Sequence, residues 1–300
     1  MPEQRNLVVT GPAASVRLDH YLRERVSGLS RRDLLALFQA GHVRVNGRLA
    51  SKGMQVQPGD RIELTGIPAD TGPAADFDVP LRIIHEDSRI VAVDKPAGIA
   101  SHPLRAGERG TVVSALLARY PELRGVGYRE LESGLLHRLD RDTSGVLLAA
   151  RDQATFEALR AAHMRGEFEK RYLALVRGRP TPGVFRGYLR ADQRNVRVRT
   201  GSFAGAKLVS MELLTSEQRG DYALVCVRLS LAARHQVRAL LAAHGHPIAG
   251  DLQYGGENLP GLGRHFLHAS ELHFPLDDVR LQLHAALHPE LVSVLDALAG

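Results

Sequence analysis

The chain has 300 residues, 44% hydrophobic and 24% charged, as in an ordinary globular protein with room for one large domain and a small one. No apolar run reaches the ~20 residues a membrane helix needs, and residues 1–10 lack the apolar stretch of a signal peptide, so a cytoplasmic protein without membrane contact is expected. A net charge of +6 favours an anionic partner, and a single cysteine, Cys226, excludes an internal disulfide and a cysteine-rich zinc ribbon.

The charge is unevenly placed. Residues 1–52 carry nine Lys/Arg against four Asp/Glu, a net +5, which leaves about +1 for residues 53–300. Only Lys52, Lys95, Lys170 and Lys207 are lysines; the other basic residues are arginines, whose planar fork suits bidentate phosphate contacts and base stacking. Residues 1–15 read as an N-terminal extension. Residues 16–26 then set Leu18, Tyr21, Leu22 and Val26 at helical spacing, and Ser30-Arg31-Arg32-Asp33 has the form of a capping box. Leu34, Leu35, Leu37 and Phe38 supply the apolar face of that second helix, and Gly41 suits its C-terminal cap. Residues 42–49 alternate around Asn46-Gly47, a strong hairpin signal, and Pro58-Gly59-Asp60 turns the chain into a strand over 61–64.

These residues resemble an S-four-type RNA-binding domain over 16–66, through Ser30-Arg31-Arg32, the stretch from Gly41 to Gly47, and Pro58-Gly59-Asp60. The resemblance implies a small α+β module whose second helix and following loop touch RNA, with Arg31, Arg32, Arg44, Arg48 and Lys52 as phosphate contacts. The plain alternative for each is a solvated surface charge.

Residues 67–80, rich in Gly, Pro and Ala without a period, read as a linker. Beyond it, residues 81–300 read as the larger domain. Short β-rich runs dominate it, over 90–93, 145–150, 170–176, 196–200, 208–214 and 222–229. Helical patterns are confined to 153–164, 235–243 and 289–298. Strands outnumber helices without alternating with them, which predicts an α+β fold, a largely antiparallel mixed sheet flanked by a few helices.

Within it, His137-Arg138-Leu139-Asp140 leads through a polar turn, Arg141 to Thr143, into the apolar run from Ser144 to Leu148. A turn that feeds a rigid strand can hold a carboxylate at a sheet edge, although an aspartate there is by default a turn former. The whole string resembles the signature of RluA-type pseudouridine synthases, in which the aspartate is catalytic. Three further stretches match that family in order: Val93 to Gly98, Lys170 to Val176, and Arg234 to Tyr254. The resemblance implies that Asp140 is the catalytic acid and that Arg238 pairs with it and keeps it ionised. It further implies that Tyr172 packs its ring on the target base and that Leu267, in Leu267-His268-Ala269, lines the pocket. Arg138 would brace the position a flipped base vacates. One departure stands out: Ala232-Ala233-Arg234 occupies positions where the family usually has glycine, arginine, and threonine or serine, so an arginine is absent at 233.

The implied reaction converts uridine in RNA to pseudouridine, most often in large-subunit ribosomal RNA, by a monomeric enzyme with no cofactor and no metal. It needs a carboxylate, a cation to hold it, an aromatic platform and an apolar pocket. Two competitors stay open: a catalytically inactive RNA-binding factor in ribosome assembly, and a synthase acting on transfer RNA. A metal-dependent hydrolase is disfavoured, because the histidines at 244, 246, 265, 268 and 273 lack a metal-ligand spacing.

Overall fold

The structure is a computed structural model, described over residues 3–10, 15–26, 31–67, 72–191 and 196–298. The N-terminal elements are β1 (Glu3–Val8), β2 (Val16–Arg17), α1 (Leu18–Arg25), α2 (Arg31–Gln39), β3 (Val43–Val45), β4 (Arg48–Leu49), β5 (Gln55–Val56) and β6 (Arg61–Ile67). Four strands form an antiparallel sheet in the order β1-β6-β3-β4. Asn46 and Gly47 have φ of 50° and 77°, the two left-handed residues a tight β3–β4 turn demands. Leu18 and Leu22 of α1 and Leu34 and Leu37 of α2 pack on Val43, Ile62 and Leu64, and all are buried. The predicted helices and hairpin are therefore present. Residues 3–8, read as part of an extension, are instead an edge strand paired with β6. Ser30, the first residue of the expected capping box, lies outside the described residues.

The larger part is built on one sheet. Its elements are β7 (Arg82–Glu86), β8 (Ile90–Lys95), α3 (Val112–Arg119), β9 (Ser144–Ala150), α4 (Gln153–Met164), β10 (Glu169–Arg177), β11 (Gly183–Ala191) and β12 (Val196–Arg199). β13 (Lys207–Arg219), β14 (Tyr222–Leu229), α5 (Gln236–Ala243), β15 (Leu267–Leu276), β16 (Val279–His284) and α6 (Pro289–Ala297) complete it. The strand order is β12-β11-β13-β14-β10-β15-β9-β8-β7, with β16 beside β15. β9 and β15 run parallel, and the other pairs of this sheet are antiparallel. The α+β class with a mostly antiparallel sheet is the one the sequence predicts.

The middle of this sheet is covered on both faces. Val91, Val93, Leu147 and Ala149 join one core with Leu116 of α3, Leu240 of α5 and Leu291 of α6. Ile90, Ala92, Val146 and Leu148 point the other way, into a second core with Phe156 and Leu159 of α4 and with Phe168 and Phe274. A strand buried on both faces reads as a continuous apolar run, which is why β8 and β9 stand out in the sequence. Residues 72–80 lie against this part. The Asp76 carboxylate accepts from the Gly110 and Asp78 N–H groups at 2.9 and 3.1 Å, and the Asp76 N–H donates to the Ser114 carbonyl at 2.9 Å.

Candidate active site

Asp140 hangs in the connection that enters β9. Its carbonyl accepts from the Thr143 N–H at 3.1 Å, closing a turn. Three contacts fix the connection. Leu139 is tied to Ser101 by its N–H and its carbonyl, at 3.0 and 2.8 Å. The Arg141 guanidinium donates to the Gly98 carbonyl at 2.8 Å. Beneath them the fully buried Lys95 donates to the carbonyls of Pro96, Ile99 and Arg141 at 2.7–2.8 Å. Burial, with the Arg264 charge nearby, pushes the Lys95 ammonium down to about 7, while three carbonyls saturate the donors of its charged form.

The strand after the turn requires a glycine. Gly145 has φ of +114°, and a Cβ there would lie 2.1 Å from the Ala269 carbonyl oxygen of β15. Close approach of the two parallel strands therefore dictates the Ser144-Gly145 step. Ser144 shares its hydroxyl with His268 Nδ1 at 2.8 Å and accepts from Arg264 at 2.8 Å, locking the same junction from the other side.

Arg238, on α5, reaches this turn. Its Nη1 donates to Asp140 Oδ2 at 3.0 Å, and its Nε and Nη2 grip Asp251 bidentately at 2.7 and 2.8 Å. Nη2 also donates to Gln253 at 3.2 Å, and the guanidinium lies 5.2 Å from the centre of the Tyr254 ring. Burial opposes the Arg238 charge, but the bonds to Asp251 and the charges of both carboxylates outweigh it and hold the group above its ordinary value. His235 caps α5 in the left-handed region with φ of 55°; its Nδ1 pairs with the Tyr254 hydroxyl at 2.9 Å, and its Nε2 lies 3.7 Å from Asp140 Oδ1. Burial, partly offset by Asp140, lowers the His235 imidazole.

Tyr172 stands on β10 opposite Ala269 of β15, buried; burial and then the Asp140 charge push its phenol up. Leu267, also buried, faces Ala174 two positions along the same ladder. Asp140, Arg238, Tyr172 and Leu267, distant in sequence, thus converge around the junction of β9, β10, β15 and α5. Arg138 is exposed beside them.

The expected phosphate contacts lie elsewhere, on the small N-terminal sheet. Arg44 and Arg48 flank its hairpin and are exposed, and Arg44 donates to the Gly47 carbonyl at 3.0 Å. Lys52 lines a recess of about 180 Å³ with Arg17, His20 and Phe38. The side chains of Arg31 and Arg32 lie outside what is described, although their backbone begins α2. The histidines near the C-terminal end bond to protein groups. His265 pairs with the Thr143 hydroxyl at 2.8 Å, His268 with Ser144 and the Ala285 carbonyl, and His273 with Glu271.

Sequence reasoning gave no role to Asp251, His235 or Tyr254, nor to Lys95 beneath the turn. Asp251 follows a glycine in a short irregular segment, where an acid reads as a turn residue. The one available signal was its closeness to Arg238 across the helix end.

The two parts of the chain, a small basic module and a larger mostly antiparallel sheet, are matched separately in comparisons with known proteins. The family model for RNA pseudouridylate synthase matches residues 89–243, and that for the S4 domain matches residues 16–62. An uncharacterized RNA pseudouridine synthase of Chloroflexus aurantiacus is 36% identical over 90% of this chain and 85% of its own length. The ribosomal large subunit pseudouridine synthase D of Xylella fastidiosa is 33% identical over 98% and 92%. In fold, the chain is similar to human RNA pseudouridylate synthase domain containing 4, with a TM-score of 0.58 at 23% identity over 72% of this chain and 92% of that one.

The chain belongs to the RNA pseudouridylate synthase family. It is an RNA isomerase of the RluA type with an S4 domain at its N-terminal end.

Proposed function

We propose that the protein isomerises uridines of large-subunit ribosomal RNA to pseudouridine, with Asp140 as the catalytic residue. Residues 16–66 would act as the RNA-gripping domain and residues 81–300 as the catalytic one. The observation that carries the reading is the Asp140–Arg238 pair at 3.0 Å, with Asp140 the more open of Arg238's two carboxylate partners. A pair of curated relatives named for the large ribosomal subunit, 33% and 31% identical, supports the substrate class.

The chemistry follows from the groups present. The bond between N1 of uracil and C1′ of ribose breaks, the base turns, and a bond forms from C5 to C1′. C5 loses a proton and N1 gains one, so substrate and product are isomers and atoms and electrons balance without an added reagent. Asp140 meets the sugar or the base as that bond breaks. Arg238 aims the carboxylate, and Asp251 keeps the guanidinium neutralised and fixed in rotation. Tyr172 offers a ring for the detached base, and Leu267 with Tyr172 keeps the pocket wall apolar. The base must leave its stack to arrive here, and exposed Arg138, two residues from Asp140, is placed to brace the gap.

The test is Asp140→Asn on unmodified large-subunit ribosomal RNA transcribed in vitro, with transfer RNA as a parallel substrate. RNA affinity should stay within about twofold, because one exposed-edge carboxylate adds no phosphate contact. Pseudouridine should fall below detection, and substantial turnover by the variant contradicts the mechanism. Conversion of transfer RNA alone by the wild type would move the substrate and leave the mechanism in place.

A further inference from the structure

A recess of about 200 Å³ opens beside the catalytic turn on the Arg138 side, between α4 and the loop before residue 137. Its wall is apolar, from Val126, Leu135, Leu136 and Phe156. Its rim carries Arg129, Arg138 and Arg160 against one acid, Glu132. Glu132 is taken by Arg129 at 2.9 Å and lies 3.7 Å from His102. Arg138 and Arg160 have no carboxylate partner among the described residues. His137, at the inner wall, accepts from the Leu148 N–H at 3.3 Å; burial drives its imidazole well below the ordinary value, so no charge sits on the floor.

Tyr128 stands at the mouth, 64% exposed, which is unusual for an aromatic side chain with a solid core a few residues away. It does not wave free. Its ring meets Phe156 edge-on, with centroids 5.3 Å apart at 89°, and the Arg160 guanidinium lies 5.6 Å from its centre. The preceding Gly127 N–H donates to Gln153 of α4 at 2.8 Å, which anchors the loop. An exposed, oriented ring framed by unpaired arginines over an apolar hollow suits an unstacked nucleobase whose flanking phosphate meets the rim. Arg138 joins the two sites: with two residues to Asp140, the recess lies within about 7 Å of chain from the catalytic acid.

We propose that this recess is a second nucleotide subsite, in which a base near the reacting uridine stacks on Tyr128 while Arg160 holds the phosphate beside it. The proposal rests on RNA being the substrate of the site around Asp140, and it assigns Tyr128 and Arg160 to substrate choice rather than to bond chemistry. The occupant is a single-stranded RNA nucleotide, because a paired base presents no free face to the ring.

The experiment measures equilibrium binding and steady-state turnover of full-length wild type, Tyr128→Ala, Tyr128→Phe and Arg160→Ala on unmodified large-subunit ribosomal RNA transcripts. Tyr128→Ala should weaken binding and raise KM roughly ten- to a hundredfold, the stacking contribution of one base, with kcat at saturation unchanged. Tyr128→Phe should restore both within about twofold. Arg160→Ala should flatten the log–log salt dependence of binding by about 0.7, the value for one single-strand phosphate. Unchanged affinity and salt slope in the two alanine variants would overturn the subsite, as would a Tyr128→Phe variant as damaged as Tyr128→Ala. Asp140→Asn, run alongside, separates the two claims: its failure to stop turnover would refute the catalytic reading and leave the binding comparison intact.

Discussion

Arg238 carries one positive charge between two carboxylates that are not equivalent. The Asp140 side chain is 20% exposed, so substrate can reach it, whereas Asp251 is 1% exposed and its carboxylate bonds only to Arg238 among the described residues. If Asp140 bonds covalently to substrate its charge disappears, and without Asp251 the buried guanidinium would be left unpaired. Removing one partner of a buried pair typically costs about 3–5 kcal/mol. Asp251→Asn should therefore lower stability by about 3 kcal/mol and cut kcat at least tenfold while RNA affinity holds. A loss of RNA affinity with kcat intact would assign Asp251 to structure alone. Asp140, Arg238 and Tyr172 could be singled out only because the stretches that hold them resemble the family's motifs; by local pattern each reads as an ordinary turn, helix or strand residue. Asp251 could not be, because its meaning lies only in the two hydrogen bonds it makes across the end of α5.

At the level of elements, the site exists because β9 and β15 run parallel in an otherwise antiparallel neighbourhood, and the turn at Asp140 hangs at that junction. Histidines tie several of these elements together. His265 bonds Thr143, His268 bonds Ser144, and His163 on α4 bonds Lys170 of β10 at 2.8 Å; burial lowers all three imidazoles to about 4. Since an unfolded histidine titrates near 6.5, the unfolded chain binds more protons than the folded one between pH 6.5 and 4. The contribution of these three histidines should thus be fully present above about pH 6.5 and fall progressively down to about pH 4, before most carboxylates titrate. Urea midpoints measured across that range test this, and a flat profile contradicts it. The helices and strands with clear periods were readable, but α3, β7, β11, β15 and β16 were not. In α3, Val112 to Leu117 are all buried, so no amphipathic period exists to read. In β15 the inward residues include His268 and Ser270, polar types buried only because Ser144, Ala285 and Arg171 satisfy them.

Across the whole molecule, charge and chemistry are divided. The first 52 residues hold most of the net charge, and the larger part holds the Asp–Arg–Asp array. Grip and reaction should then separate by mutation. Combined Arg44→Ala, Arg48→Ala and Lys52→Ala should weaken RNA binding and reduce its log–log salt slope by about 2, roughly 0.7 for each lost phosphate contact, with kcat at saturating RNA little changed. An unchanged slope would place the RNA grip elsewhere. Composition revealed this division, because net charge sums over a segment whatever its fold; which arginines face one another depends on the hairpin register, settled only in three dimensions. The most direct measurement maps pseudouridines in large-subunit ribosomal RNA from cells lacking this gene, with wild type or Asp140→Asn supplied in trans. The account predicts that one or more sites vanish in the deletion, return with wild type, and stay absent with Asp140→Asn. An unaltered map, or restoration by Asp140→Asn, would contradict it.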